Sequence, residues 1–119
     1  MSRQVGSPKG AKAKADRLFS LIIRARGHCE SCGSTSNLQC AHIVSRRYSH
    51  TRCDQRNAFC LCAKCHMHFT DHPVEFAEFV LANTDQYPAM FLLSQQTGKV
   101  DWKQVAAGLQ VIARELELV

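Results

Sequence analysis

The sequence has no apolar run that approaches the roughly 20 residues needed to cross a bilayer. Its first residues, MSRQVGSPKGAKAKADR, are polar and basic and no apolar stretch follows them, so we expect no secretory signal. No internal repeat is present, and no low-complexity segment occurs beyond this amino-terminal stretch. These absences argue against a membrane protein and against export, and we expect a cytoplasmic protein.

The length and composition indicate one small domain. With 119 residues, 45% of them hydrophobic and 21% charged, the chain has the composition of a globular protein with a single thin core. Gly6, Pro8 and Gly10 interrupt a basic stretch, which predicts a flexible arm over residues 1–11. We expect residues 12–119 to form the domain, with residues 28–72 as its centre and residues 73–119 as a helical closure.

Positive charge is concentrated in the first half of the sequence. Residues 1–52 carry ten Lys or Arg against two acidic residues, whereas residues 53–119 carry five against eight. A basic half suggests a polyanionic partner, and nucleic acid is the commonest one. For the first 14 residues, a basic tail that only aids solubility is the alternative.

Seven cysteines are many for so short a chain, and their spacing indicates a metal site. Without an export signal, thiolate ligands are a better interpretation than disulfides. Cys29-x-x-Cys32 and Cys62-x-x-Cys65 each let one tight turn place two sulfurs at two corners of a tetrahedron around Zn²⁺. Four protein ligands close the coordination sphere, which is typical of a structural zinc.

Three further thiols, those of Cys40, Cys53 and Cys60, lie outside these two pairs. Cys60 precedes Cys62 by two residues, so on a strand both would face the same side and Cys60 could compete as a ligand. We prefer Cys62, because only Cys62 completes the second Cys-x-x-Cys. Free buried thiols account for the other three.

Hydrophobic periodicity and turn residues predict an α+β protein. A leading helix is expected over residues 12–26, and two antiparallel strands over residues 38–44 and 58–61 flank a polar loop. A helix over residues 63–71 should complete a ββα unit, and a second should begin at Pro73. A short helix over residues 87–96 and a last helix capped by Asp101 should follow. The apolar stripe of this last helix is predicted to be core: Trp102, Val105, Ala106, Leu109, Ile112, Ala113 and Leu116.

Five of the six histidines lie within residues 42–72, where a plain zinc ribbon needs none. The first cysteine pair, then Ala41-His42-Ile43, then Asn57 and then the second cysteine pair followed at once by His66 form an order that resembles the HNH endonuclease family, whose fold is the ββα-metal motif. The resemblance covers about residues 28–72. Residues 38–66 in particular are similar to the small HNH nucleases of bacteriophages and prophages, some of which are encoded beside the packaging terminase.

The resemblance implies a role for each residue of this motif. His42 would be the base that takes a proton from the attacking water, and His66 would bind a hydrated Mg²⁺ or Mn²⁺ at the scissile phosphate. Asn57 would hold the loop through its side-chain amide and keep His42 aimed. The implied setting is the cytoplasm of a bacterial host cell, with DNA as substrate and terminase subunits as possible protein partners.

Ala41 departs from the family pattern, in which many members have a metal-binding His or Asp immediately before the base. Either another residue joins His66 on the metal, or His42 is itself a ligand and the base lies elsewhere. We rank His72 first as the additional ligand. The other candidates are Asp71, which follows His66 by five residues, and His50 and Asp54 on the loop.

Basic residues surround the motif and predict contacts with the DNA backbone. They are Arg46, Arg47, Arg52, Arg56 and Lys64. Guanidinium groups suit phosphate, and such contacts carry little sequence information, so we expect relaxed sequence preference and binding that weakens with salt. Two alternatives stay open: a non-catalytic zinc ribbon that binds DNA or protein, and a packaging accessory with a degenerate HNH site.

Overall fold

The structure, a computed structural model, describes residues 7–119 and confirms the α+β prediction. Within these residues a two-stranded antiparallel sheet is accompanied by five α-helices. The elements, in chain order, are α1 (Ser7–Arg24), β1 (Leu38–His42), a 3₁₀ turn (Gln55–Asn57), β2 (Ala58–Cys62), α2 (Ala63–Asp71), α3 (Pro73–Asn83), α4 (Tyr87–Ser94) and α5 (Trp102–Glu115). None of the helices in this part of the chain is long and apolar enough to cross a membrane.

Several element boundaries differ from the predictions by one to five residues, and those at the start of α1 and the end of β1 have a local cause. Helix α1 begins at Ser7, so residues 7–11 of the predicted arm are helical, and residues 1–6 lie outside the described part. Pro8 does not oppose this start, because a helix tolerates proline in its first turn. Strand β1 ends at His42 rather than at residue 44, because the backbone N–H of Val44 donates to the Asn57 side chain instead of to the neighbouring strand.

The sheet is packed on both faces. In its register Cys40 pairs with Cys60 and His42 with Ala58. Cys60 and Ala58 belong to a core formed with α1 and α5, in which Phe19 and Ile23 are almost fully buried. A second apolar cluster forms on the side of α2 and α3. It contains Ala41, Phe59, Leu61 and Val80, with Phe69, Phe76 and Phe79 packed against it. Because β2 lies between the two clusters, all five of its residues are buried.

Helix α5 covers α1, as its apolar stripe predicts. Ala106, Leu109 and Ala113 are buried in the first core, and Trp102 and Val105 pack against it. The Asp101 side chain accepts a hydrogen bond from the Gln104 backbone N–H at 3.2 Å and caps the helix. Leu116 follows the last helical residue and is 51% exposed, so the stripe ends before it.

Arg26 joins the end of α1 to the first cysteine pair and to β2. Its Nη1 donates to Glu30 Oε2 and to the Ala58 carbonyl, both at 2.9 Å, and its Nη2 donates to the Gln55 carbonyl at 3.0 Å. The same Glu30 oxygen accepts from the Cys60 backbone N–H at 2.7 Å. These contacts hold the turn that carries Cys29 against the middle of β2.

Candidate functional site

The four cysteines of the two predicted pairs converge, and we call them the thiolate quartet: Cys29, Cys32, Cys62 and Cys65. Their sulfurs all lie within 4.8 Å of one another, and the Cys32 and Cys62 sulfurs are 3.7 Å apart. A tetrahedron with Zn–S bonds near 2.3 Å has sulfur–sulfur edges of about 3.8 Å. In each pair, the backbone N–H of the second cysteine donates to the first sulfur at 3.5 Å. The quartet could therefore hold a structural metal such as zinc.

The charge balance of the quartet also favours a cation. Burial raises the pKa of Cys29, but backbone N–H donors, chiefly that of Cys32, outweigh burial and lower it to about 6. At the same site burial, together with the hydrogen bonds to neighbouring thiols, raises the pKa of Cys65 to about 12. Several thiolates cannot be anionic this close together without a compensating positive charge, and a divalent metal supplies it.

The other three thiols lie outside the quartet. Cys60 is fully buried in the core beneath α1, whereas Cys62 occupies the amino-terminal cap of α2, where the chain leaves the strand. The two side chains therefore do not share a site, and the choice of Cys62 over Cys60 is supported. Burial raises the pKa of Cys40 to about 11, and burial followed by the nearby Asp16 carboxylate raises the pKa of Cys53 to about 12. Both groups remain thiols at neutral pH.

His42 and His66 line one open groove between α1, β1 and α2, with a volume of about 610 Å³. We call it the imidazole groove. Its other polar lining residues include Asp16, Arg24, Gln39 and Arg46. His42 is the last residue of β1 and His66 lies in the first turns of α2. The quartet fixes the start of α2, because Cys62 and Cys65 lie there, and β2, which leads into α2, pairs with β1.

The His42 ring is held by the loop that follows it. Its Nε2 lies 2.9 Å from the Arg52 carbonyl oxygen, which can only accept, so Nε2 carries the hydrogen and Nδ1 keeps its lone pair. The ring also lies against Phe19, with centroids 5.6 Å apart. Burial lowers the pKa of His42 below its usual value, and the Arg52 carbonyl opposes this less strongly. The imidazole is therefore neutral at pH 7.

The His66 ring is held by β1. Its Nδ1 donates to Gln39 Oε1 at 2.7 Å, which leaves Nε2 with a free lone pair. Burial lowers the pKa of His66, so this imidazole is also neutral near pH 7. A histidine that donates from one nitrogen to an oxygen and offers the other is the usual arrangement of a metal ligand. Gln39 was not predicted as a site residue, and its only signal in the sequence is a polar side chain within a short apolar strand.

Asn57 holds the loop between the two strands by its side chain. It is fully buried, and its Oδ1 accepts from the Val44 N–H at 2.8 Å. Its Nδ2 donates to the carbonyls of Val44 at 3.0 Å and Thr51 at 3.1 Å. These bonds fix both limbs of the loop that carries the Arg52 carbonyl, which is the positioning expected of Asn57.

A carboxylate on α1 completes this support. Arg52 donates to both oxygens of Asp16, from Nε at 2.8 Å and from Nη2 at 2.6 Å. Burial raises the pKa of Asp16, but the Arg52 guanidinium outweighs burial and holds that pKa below its usual range. Asp16 therefore anchors the residue whose carbonyl orients His42. Asp16 was missed in the sequence, although it is the only acidic residue of α1.

The predicted DNA-contacting residues are not equivalent. The Arg52 side chain is 13% exposed and is engaged by Asp16 and by the Arg46 carbonyl at 3.0 Å, so its predicted contact with DNA is not supported. Arg46 is 61% exposed at the edge of the imidazole groove, where Arg24 also lies. The remaining three lie elsewhere: Arg47 packs over the Tyr48 ring, Arg56 pairs with Asp54 at 2.7 Å, and Lys64 lines a different groove.

None of the residues suggested as an additional metal ligand lines the imidazole groove. His72 and Asp71 line a separate groove beside Cys32 and Cys65. His50 bonds to the Gly98 carbonyl at 3.2 Å, and Asp54 caps the 3₁₀ turn. Ala41 is 3% exposed within the second apolar cluster, so a ligand at position 41 would enter that cluster rather than the groove.

Comparisons of the chain with family models, with curated proteins and with solved structures give no match.

Proposed function

We propose that this chain is a metal-dependent HNH-type endonuclease that hydrolyses phosphodiester bonds in DNA. The observation that carries the proposal is the imidazole groove. Two neutral histidines line it, each held through one ring nitrogen and each keeping a lone pair on the other. The groove is also flanked by Arg24 and Arg46, which suit a phosphate backbone.

The two histidines can divide the chemistry. His42 Nδ1 is the available base for the attacking water, because Nε2 is occupied by the Arg52 carbonyl. His66 Nε2 is the available ligand for Mg²⁺ or Mn²⁺, because Nδ1 is occupied by Gln39. When bound, such an ion would polarise the scissile phosphate and stabilise the leaving oxygen. Arg24 and Arg46 would neutralise the flanking phosphates.

A sparse ligand set is compatible with this assignment. Mg²⁺ keeps much of its water and commonly takes only one or two protein ligands. His66 therefore does not need His72, which lies on another surface. The Asp16 carboxylate lines the groove as well, but the ion pair with Arg52 occupies both of its oxygens.

The biological setting of the proposal rests on the resemblance of residues 28–72 alone. It comprises a bacteriophage or prophage origin, the cytoplasm of a bacterial host and a role near the packaging terminase. Relaxed sequence preference follows from the residues that flank the groove, because contacts with the backbone do not read bases.

The test is cleavage of supercoiled plasmid by purified zinc-loaded protein with Mg²⁺, with Mn²⁺ or with EDTA. We expect divalent-dependent nicking or linearisation. His42→Ala and His66→Ala should each lower the rate constant by about 100- to 10,000-fold, the range for loss of an acid–base or metal group. His28→Ala is the matched control, since this exposed histidine lies outside the groove and should leave the rate unchanged.

His42→Ala and His66→Ala must keep their zinc and the wild-type melting temperature, so that their loss of activity reports the groove and not unfolding. If the wild type retards DNA on a gel but never cuts it, the chain is a binding module braced by zinc. If His28→Ala loses activity as His42→Ala does, the groove is not the active site.

A further inference from the structure

A second group of potential metal ligands lies at the corner between α2 and α3. It consists of His68 and His72, four residues apart, and Glu75 in the first turn of α3. One ligand atom from each lies within 4.8 Å of those of the other two. We propose that this corner site binds a divalent transition metal such as Ni²⁺, Zn²⁺, Co²⁺ or Cu²⁺, separately from the thiolate quartet and from the imidazole groove.

The two rings are already arranged as a chelating pair. His68 and His72 stack with centroids 4.2 Å apart and planes 20° from parallel. His72 Nδ1 donates to the His68 carbonyl at 2.8 Å, so Nε2 of His72 keeps its lone pair and faces no competing partner within the cluster. This is again the arrangement in which an oxygen fixes one nitrogen and leaves the other to a metal.

Glu75 supplies the third ligand atom. Its Oε1 lies 2.9 Å from His68 Nε2, close to the edge of about 3.3 Å in a tetrahedron with bonds of 2.0–2.1 Å. An ion would take the place of the hydrogen between these two atoms. The side chains of His68 and Glu75 are 48% and 51% exposed, so rotamer changes can close the remaining gap to His72.

The donor set selects the class of metal. Imidazole nitrogen with carboxylate oxygen suits the borderline divalent transition metals, whereas Mg²⁺ prefers oxygen alone. The site is also distinct from the imidazole groove, because two residues along a helix turn the side chain by about 200°. His66 accordingly lines one groove, and His68 and His72 line the other.

A metal here would brace a corner that has no side-chain cap. His72 ends α2 and precedes α3, and its side chain makes no capping hydrogen bond to α3. Phe69 packs against Phe76 and Phe79 on the apolar side of the two helices. On the exposed side they are joined by the His68–Glu75 pair, which is of a kind worth little on its own. An ion that joins His68 and His72 to Glu75 would fix α2 against α3, and α2 carries His66 and Cys65.

The experiment titrates zinc-loaded full-length protein with Ni²⁺ by calorimetry and follows the melting temperature. We expect one nickel equivalent to bind after the quartet is filled, and the melting temperature to rise by several degrees. His72→Gln should weaken this binding at least tenfold and abolish the rise. His66→Ala is the control for the groove, and Glu78→Gln, an exposed acidic change on α3, is the control for charge.

Each outcome decides the proposal. Nickel binding that survives in His72→Gln but is lost in His66→Ala would assign the ion to the groove and overturn the corner site. The absence of nickel binding to zinc-loaded wild type would overturn it as well. All variants change exposed or half-exposed side chains, so their melting temperatures without nickel should stay close to that of the wild type. Plasmid cleavage is not used, so this result is independent of the proposed nuclease activity.

Discussion

Asn57 is a buried amide that satisfies three backbone groups of one loop. Replacement by alanine would leave the Val44 N–H and the carbonyls of Val44 and Thr51 without their partner in a site that water does not reach. Since each unsatisfied buried group costs about 1–3 kcal/mol, we expect Asn57→Ala to lower the free energy of unfolding by about 3 kcal/mol. Chemical denaturation of the zinc-loaded protein measures this change.

The control for that change is Asn83→Ala. Asn83 Nδ2 also donates to a backbone carbonyl, that of Phe79 at 2.8 Å, but its side chain is exposed. Its loss should cost less than about 0.5 kcal/mol. Equal losses for the two variants would show that Asn57 does not organise the loop.

The half-buried His42 imidazole predicts that the activity of the proposed nuclease falls in acid. Burial lowers the pKa of His42 below the ordinary imidazole value of about 6.5, so the base loses its proton at a lower pH than a free histidine does. We expect kcat/KM to rise with pH along an acid limb whose midpoint lies below the ordinary imidazole value of about 6.5. The Asp16 carboxylate favours the protonated ring, so Asp16→Asn should move the acid limb to lower pH and also reduce the plateau.

The same protonation destabilises the fold in acid. The pKa of His42 is lower in the folded state, so the unfolded chain takes up the proton first as the pH falls. The free energy of unfolding should therefore decrease below about pH 6.5, and His42→Gln should reduce that slope. An acid limb with its midpoint above pH 6.5 would contradict the assignment of His42 as the base.

At the residue scale, sequence reasoning could propose residues that belong to a motif with local spacing. It missed residues whose partners are brought close only by the tertiary fold. His42, Asn57 and His66 were proposed as site residues from their order relative to the cysteine pairs. Gln39 and Asp16 were not, because their partners His66 and Arg52 lie 27 and 36 residues away in the chain. Arg52 was assigned to DNA because its charge is visible in the sequence and its ion pair is not.

At the scale of elements, the two cysteine pairs connect the loop after α1 to the start of α2. Cys29 and Cys62 are both buried in the second apolar cluster, and a metal bound by the quartet would tie these two segments together. We expect Cys62→Ser to lose the metal and to melt without a cooperative transition. Metal content and calorimetric melting measure both effects.

Cys53→Ala is the matched control for Cys62→Ser. It removes a half-buried thiol that lies outside the quartet, so one equivalent of zinc and a sharp transition should remain. A cooperative transition in metal-free Cys62→Ser would show that the two apolar clusters suffice for folding.

The elements themselves were predictable, and their ends were less so. The ββα order, Pro73 at the start of α3 and Asp101 at the cap of α5 are local signals, and the structure reproduces them. The end of β1 is set by a hydrogen bond from Val44 to Asn57, thirteen residues later. No local pattern reports such a bond. Likewise, alternation along β1 places Ala41 in an apolar cluster, so a side chain at this position would not reach the groove.

At the scale of the whole molecule, the basic first half of the chain supplies the edges of the imidazole groove. Arg24 comes from α1 and Arg46 from the loop after β1, while the more acidic second half contributes His66 on α2. DNA bound in the groove would therefore meet positive charge beside the two histidines. Affinity from such contacts arises mainly through release of counterions, so it should fall steeply with salt.

The contribution of Arg46 to this salt dependence can be measured. In the His42→Ala background, which prevents cleavage, fluorescence anisotropy with a short duplex gives the slope of log affinity against log salt. Since each phosphate contact contributes about 0.9 to that slope, Arg46→Gln should make it shallower by about one. Arg114→Gln removes an equal, exposed charge on α5 outside the groove and should leave the slope unchanged. If both changes have the same effect, net charge attracts the DNA and the groove does not position it, since a specific contact at Arg46 requires the two slopes to differ.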